Sequence, residues 1–342
     1  MLSESDVVRW RVPWFDGRTS FRDAWPAVEA RINQVFDHDK FVNGQVTAEL
    51  GQAIASYTGA RYAVGVNSGA DALYLVLRAV GVGEGDEVVM SDGAEWSSVA
   101  AVERAGATPV FTAKLSGRTR AVLAAHSYGR MPDLGALRKI AADAGVPLVE
   151  DGVPLGSRHD GVHAGLSGAA GAVSFAPDST LGALGDAGMV ITGDRELATR
   201  CMMLRHHGRT SEVPGSAPDT SGPAAMVGVN SKMDEIQAAV LLARLDGLDG
   251  ALARRREVAA RYTSRLTGID GLGLPAQDVW PAYVVAADRR DDLAEHLTRA
   301  GVQTVIPRAA TSLALPVHPD LSPGQIDHVC DAISRFYRGG RA

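Results

Sequence analysis

The sequence predicts an α/β protein: a three-layer αβα domain on a mostly parallel sheet, followed by a smaller C-terminal α/β domain. Three observations point there. Strand-like and helix-like pieces alternate from Glu49 to Phe175, the pattern of a parallel sheet covered on both faces. A long helical stretch follows, and a shorter strand–helix alternation begins at Trp280. The 342 residues also exceed one ordinary domain, which runs to roughly 100–200 residues.

Taken in order, TAELGQAIASYTG (47–59) reads as an amphipathic helix ended by Gly59. YAVGV (62–66) is an apolar strand, and DALYLVLRAVG (71–81) a helix ended by Gly81. GDEVVM (85–90) is a strand and WSSVAAVERAG (96–106) a helix. ATPVFTA (107–113) and RTRAVLAAHSYG (118–129) each hold a strand. DLGALRKIAADAG (133–145) is a helix; PLVEDG (147–152), GAVSFAP (171–177) and GMVIT (188–192) are strands. The Ser-, Pro- and Gly-rich stretch 211–226 reads as an exposed loop. Residues 233–266 form a long helical pattern with a glycine interruption. Beyond it WPAYVVAA (280–287) and TVIP (304–307) read as strands, and DDLAEHLTRAG (291–301) and PGQIDHVCDAISRFY (323–337) as helices. The expected boundaries are an N-terminal arm over 1–20, a large domain over 21–245 and a small domain over 246–342.

Composition narrows the function. A net charge of −6 argues against a nucleic-acid binder, which carries a basic face. Hydrophobic content of 46% and charged content of 22% fit a soluble globular chain. No apolar run approaches the roughly 18 residues of a membrane span, and the first residues lack a signal peptide's apolar core. Cys201 and Cys330 make neither a disulfide framework nor a metal cluster, so no metal is expected and the cytoplasm is the expected compartment. The basic residues include four lysines, Lys40, Lys114, Lys139 and Lys232.

Ligands of open parallel sheets sit at the carboxyl ends of the strands. Asn67-Ser68-Gly69, Glu95-Trp96, His126, Asp151 and Ser174 fall there. NSGADALYL is a strand, a Ser-Gly turn and a helix start. Its free amides and helix dipole suit an anion such as phosphate, although a plain βα turn fits equally. Asp151 ends an apolar strand, where a carboxylate needs a cationic or N–H partner; a protonated pyridine nitrogen is one, and a structural salt bridge or cap is the commoner answer. SFAPDSTLGALGDAGMV runs from a strand through a glycine-punctuated loop into another strand. It is a loop that faces a ligand or an ordinary connection.

The order and spacing of these blocks resemble the DegT/DnrJ/StrS sugar aminotransferases, which have the pyridoxal-phosphate (PLP) fold type I. FVNGQVTAEL, YAVGVNSGADALYLVLRAVG, HSYGRMPDLGALRKIAADAGVPLVED, SFAPDSTLGALGDAGMV, LRHHG and GVNSKMDEIQAAVLL carry the match, over most of residues 40–250. The resemblance implies a homodimer that shares its sites, a PLP cofactor, a small-molecule substrate and a place in amino-sugar or antibiotic biosynthesis. It implies that Ala70 and Asp71 lie in the turn whose amides hold the cofactor phosphate. Ser174 matches a hydroxyl on that phosphate, Asp151 the carboxylate on the pyridine nitrogen, and Asn230 an asparagine that reaches the phosphate across the dimer. Ser179 stands where the family has the lysine that forms the cofactor imine. Pro154 replaces a glutamine that bonds the cofactor's 3′-oxygen. Glu95 replaces the aromatic that stacks on the ring, with Trp96 one residue on. Lys139 and Lys232 fall on helices matched to other roles.

A serine forms no imine and shuttles no proton from carbon. Three readings follow. In the first, the chain is a repurposed, non-transaminating enzyme whose old pocket holds pyridoxal or pyridoxamine phosphate non-covalently or holds no cofactor. Its working groups are then Glu95, His126, Asp151, Asp178 and Ser179, with a Glu95–Asp151 acid–base pair and a titrating His126. In the second, it is a non-catalytic partner in a heterodimer with a related enzyme. In the third, it is an aminotransferase whose lysine lies elsewhere.

Overall fold

In the computed structural model the chain is described over residues 10–112, 114–211 and 224–339. It divides into two units. Residues 10–23, with α1 (Gly17–Arg22), belong with everything from Asp249 onward; Ala24–Leu248 form the larger unit. Of the loop expected over 211–226, residues 212–223 lie outside the described residues.

The larger unit opens with α2 (Trp25–His38), which the sequence reading did not find, and α3 (Gln45–Thr58). There follow β1 (Tyr62–Val66), α4 (Gly69–Ala79), β2 (Glu87–Met90), α5 (Trp96–Arg104), β3 (Thr108–Val110), β4 (Thr119–Ala125), α6 (Leu134–Ala144) and β5 (Leu148–Asp151). A small hairpin, β6 (Arg158–His159) and β7 (Val162–His163), precedes β8 (Ala170–Ser174), β9 (Gly188–Thr192), α7 (Arg195–Arg205) and α8 (Glu235–Leu245). The sheet order is β1-β9-β8-β5-β4-β2-β3. All its pairings are parallel except those of β9, which runs against both β1 and β8.

Strand periodicity explains the layers. Side chains alternate across a strand, and in β4 Ala121, Leu123 and Ala125 enter one core while Val122 and Ala124 enter another. The first core packs α4, α5 and α7; the second packs Leu134 and Ala141 of α6. Burial on both faces gives the continuous apolar strands seen in the sequence.

Two buried carboxylates hold the connections. Glu235, at the start of α8, is 2% exposed. It accepts the amides of Gly44 at 2.7 Å, Val46 at 2.8 Å and Thr47 at 2.9 Å, and the Thr47 hydroxyl. These amides are the unsatisfied donors at the start of α3, so Glu235 caps a helix 190 residues away in sequence and opposes its dipole. Glu150 in β5 is fully buried. Its Oε2 accepts from His126 Nε2 at 2.8 Å and from the Gly165 amide at 2.9 Å, and its Oε1 accepts from the Ser167 amide at 2.7 Å. Burial pushes this carboxyl up, but the His126 and amide hydrogen bonds outweigh it and hold it below the ordinary carboxylate value.

In the second unit, α9 (Leu248–Leu266), α10 (Arg290–Arg299) and α11 (Pro323–Gly339) accompany a three-stranded antiparallel sheet, β10 (Leu272–Gly273), β11 (Ala282–Ala287) and β12 (Ser312–Pro316). The strand expected at TVIP is corrected: Val305 makes an isolated bridge to Ala314, and the strand itself is SLALP. The WRVPW segment lies on this unit. Val12 bridges Val302 and is fully buried, and the Trp14 amide donates to Gln303 Oε1 at 2.9 Å.

Replacing Glu235 by Gln is expected to cost about 2–4 kcal/mol, with faster amide exchange at Val46 and Thr47; unchanged exchange there contradicts the capping role. Because Glu150 titrates below its ordinary value when folded, its contribution is complete above the unfolded value near ~4.3 and is lost as pH falls through the folded value. Denaturant melts from pH 7 to pH 3 are expected to show an acid loss of stability that Glu150→Gln, already destabilised by about 2–4 kcal/mol at pH 7, shows more weakly.

Candidate functional site

The carboxyl ends of β1 and β8 and the start of α4 meet in one place. Ser68 has extended backbone, and its Oγ accepts the Asp71 amide at 3.1 Å as the N-cap of α4. Its carbonyl accepts the Ala72 amide at 2.9 Å. That leaves the amides of Gly69 and Ala70 at the positive end of the helix. Of the two residues expected in the phosphate turn, Ala70 is exposed with its amide available, whereas Asp71 has given its amide to Ser68 and pairs its carboxylate with Arg104. A Cβ on Gly69 would come within 2.6 Å of the Ser174 Cβ. A Cβ on Gly188, which opens β9, would come within 2.2 Å of the Ser68 carbonyl. Only glycine fits at either position, and the Ser174 hydroxyl is thereby set beside the first turn of α4. Two amides, a hydroxyl and a helix dipole suit an oxyanion.

Asp151 closes β5. Its Oδ2 accepts from Ser98 Oγ at 2.5 Å. Burial pushes its carboxyl up, and the hydrogen bonds from Ser98 and from the Gly152 amide pull back against that rise. The next residue, Gly152, has φ +63 and turns the chain away. Pro154 is buried.

Glu95 is the N-cap residue of α5 and accepts from Ser127 Oγ at 2.8 Å. Trp96 begins α5 and is 70% exposed. Tyr128 follows Ser127 with φ +51, a left-handed conformation rare for an aromatic residue. Its phenol is pushed up to about 12, first by burial and then by the charges of Glu95 and Asp178. Glu95 and Asp178, far apart in sequence, therefore lie near one phenol. The sequence reading missed Tyr128, for nothing in HSYG marks an αL tyrosine except the glycine after it.

His126 is placed differently from the expectation. Its ring is buried, its Nε2 is engaged by Glu150, and its Nδ1 has no hydrogen-bond partner among the described residues. His163 is likewise internal, accepting the Gly156 amide at 3.0 Å.

Ser179 lies in the connection from β8 to β9 and is half-buried; its amide donates to the Ala176 carbonyl at 2.8 Å. The connection is tied to α8, where Gln237 accepts the Leu184 amide at 2.9 Å and Arg244 donates to the Gly182 carbonyl. Asp178 in the same turn is exposed. Asn230 is exposed and bridges His206. Lys139 is on α6, paired with Asp143 at 2.7 Å. Lys232 is not on a helix, as expected, but in the extended stretch before α8, bridged to Val66; the cause is the Asn67–Ser231 backbone bond that holds this stretch against the end of β1. Its Nζ donates to Asn230 Oδ1 at 2.7 Å and lies 3.4 Å from His206 Nδ1. Lys40 follows α2, and Lys114 is exposed after β3.

Residues 26–307 match the profile of the DegT/DnrJ/EryC1/StrS aminotransferase family. The chain is 37% identical to the dTDP-3-amino-3,4,6-trideoxy-alpha-D-glucose transaminase of Streptomyces venezuelae, covering 92% of this chain and 84% of that one. It is 35% identical to the erythromycin biosynthesis sensory transduction protein EryC1 of Saccharopolyspora erythraea, covering 92% and 88%. Among solved structures, DesV of S. venezuelae in complex with a ketimine intermediate superposes with a TM-score of 0.86 at 34% identity, covering 96% and 98%. An aminotransferase from Brucella abortus gives 0.85 at 25% identity, covering 96% and 100%. The fold is that of the PLP aminotransferases, and the chain belongs to the DegT/DnrJ/EryC1/StrS aminotransferase family.

Proposed function

We propose that this chain is a family member without the cofactor-anchoring lysine, which binds a vitamin B6 phosphate non-covalently and acts on an amino- or keto-sugar of natural-product biosynthesis without an ordinary transamination cycle. The observation that carries the reading is Ser179, in the SFAPDST block of the β8–β9 connection. Lys40, Lys114, Lys139 and Lys232 belong to other segments. The relatives are named as transaminases of nucleotide-linked amino sugars, which supports the substrate class.

The residues fit two parts of the cofactor and not the third. Gly69, Ala70 and Ser174 suit its phosphate. Asp151, a carboxylate pushed up by burial, suits a protonated ring nitrogen, which would restore its charge. Ser179 does not suit the aldehyde, because a hydroxyl makes no imine. When bound, a B6 phosphate supplies an electron sink for bonds at an amine-bearing carbon. The chain's own part is to bind and orient. The α4 amides and Ser174 hold the anion, Asp151 holds the ring, and Tyr128 keeps its proton on Oη at neutral pH because its phenol titrates at about 12. Glu95, in the place of a stacking aromatic, brings a carboxylate beside that phenol.

A second reading keeps transamination and takes Lys232 as the amine. In its favour, Lys232 bridges Val66, one residue before the turn into α4.

Ser179→Lys is expected to give the protein a stable visible band with pyridoxal phosphate that dialysis does not remove. Wild type is expected to bind pyridoxamine phosphate reversibly and to show no such band. A dialysis-resistant band in wild type that Lys232→Met abolishes would establish the second reading instead.

A further inference from the structure

Ser98 is the third residue of α5 and is 2% exposed. A serine in the first turn of a helix ordinarily bonds nearby backbone or water. Here the one hydroxyl proton goes to Asp151 Oδ2, 53 residues away, at 2.5 Å. The bond crosses from a helix to the end of a central strand, so both partners sit on fixed elements. A carboxyl with one free oxygen pair rotates about its Cβ–Cγ bond; a carboxyl with one oxygen pinned does not. The Gly152 amide supplies a further donor. The nearby His126 ring supplies none, since its Nε2 is given to Glu150 and its Nδ1 has no hydrogen-bond partner among the described residues.

Resting on the reading of the pocket as a B6 site, we propose that Ser98 is a positioning residue: it fixes the carboxylate of Asp151 as a charged, non-rotating acceptor, and so makes the pocket select a ligand with a protonated ring nitrogen. Ser98 touches no ligand in this account and acts through Asp151 alone. Removing its hydroxyl leaves a half-buried carboxylate short of a donor, which favours the neutral acid. A neutral Asp151 is a poor partner for a pyridinium.

The full-length protein and its Ser98→Ala, Ser98→Thr, Ser98→Cys and Asp151→Asn forms are titrated with pyridoxamine 5′-phosphate. In parallel the aspartate carboxyls are followed by 13C NMR against pH, with Asp151→Asn giving the assignment. Ser98→Ala is expected to weaken binding about tenfold or more and to raise the Asp151 titration by about one pH unit. Ser98→Thr is expected to match wild type in both, and Ser98→Cys, a weaker donor, to fall between. In the Asp151→Asn background Ser98→Ala is expected to change affinity little. An Asp151 titration unmoved in Ser98→Ala, or in Ser98→Cys where the alanine form does not fold, overturns the proposal. Wild type that binds no pyridoxamine phosphate overturns the B6 reading and the ligand assigned here, while the NMR comparison still decides whether Ser98 governs the carboxyl.

Discussion

At the centre of the site three backbone segments touch without side chains between them. Gly188 lies against the Ser68 carbonyl, and Gly69 lies against Ser174, at separations that leave no room for a Cβ. This contact needs β9 to run antiparallel between β1 and β8, with Gly188 in register with both Val66 and Ser174. The antiparallel strand brings the return of the β8–β9 connection onto the start of α4. One packing constraint thus sets the candidate oxyanion cradle, places the Ser174 hydroxyl beside the first turn of α4 and fixes both ends of the connection that carries Ser179.

Around that contact, carboxylates have separate tasks. Glu235 is saturated by backbone amides and the Thr47 hydroxyl, and Glu150 by two amides and His126. Both are therefore occupied in holding the fold. Asp151 differs, because among the described residues only the Ser98 side chain donates to it and burial leaves its carboxyl raised. A carboxylate short of partners at a strand end is the one that gains from a cationic ligand. Neighbours in sequence, Glu150 and Asp151 point to opposite faces of β5, so one is tied into the interior and the other is left to the candidate site.

Much of this was legible in the sequence because hydrophobic period and glycine punctuation are local. The alternation from YAVGV to SFAP marked the strands of the large unit, and blocks such as NSGADALYL and PLVEDG marked the strand ends where the candidate site lies. What was not legible depends on partners distant in the chain. The direction of β9 leaves no trace in GMVIT, which is buried on both faces either way. TVIP reads as a strand by composition, but SLALP is the segment that pairs with β11. Lys232 reads as the head of a helix, until the Asn67–Ser231 bond draws it alongside β1. His126 reads as a strand-end base, while the carboxylate that occupies it, Glu150, lies on the next strand. The left-handed Tyr128 sits beside left-handed Gly129 in a turn closed by the Arg130 amide on the Ser127 carbonyl, a conformation that a tyrosine rarely takes and that its side chain does not announce.

Under the proposed function, no amine stands beside the residues proposed to hold the phosphate and the ring nitrogen. Mass spectrometry of the wild-type chain, incubated with pyridoxal phosphate at near-stoichiometric concentration and reduced with borohydride, tests this directly. The account predicts unmodified peptides around all four lysines. A stoichiometric pyridoxyl adduct on any one of them would contradict it.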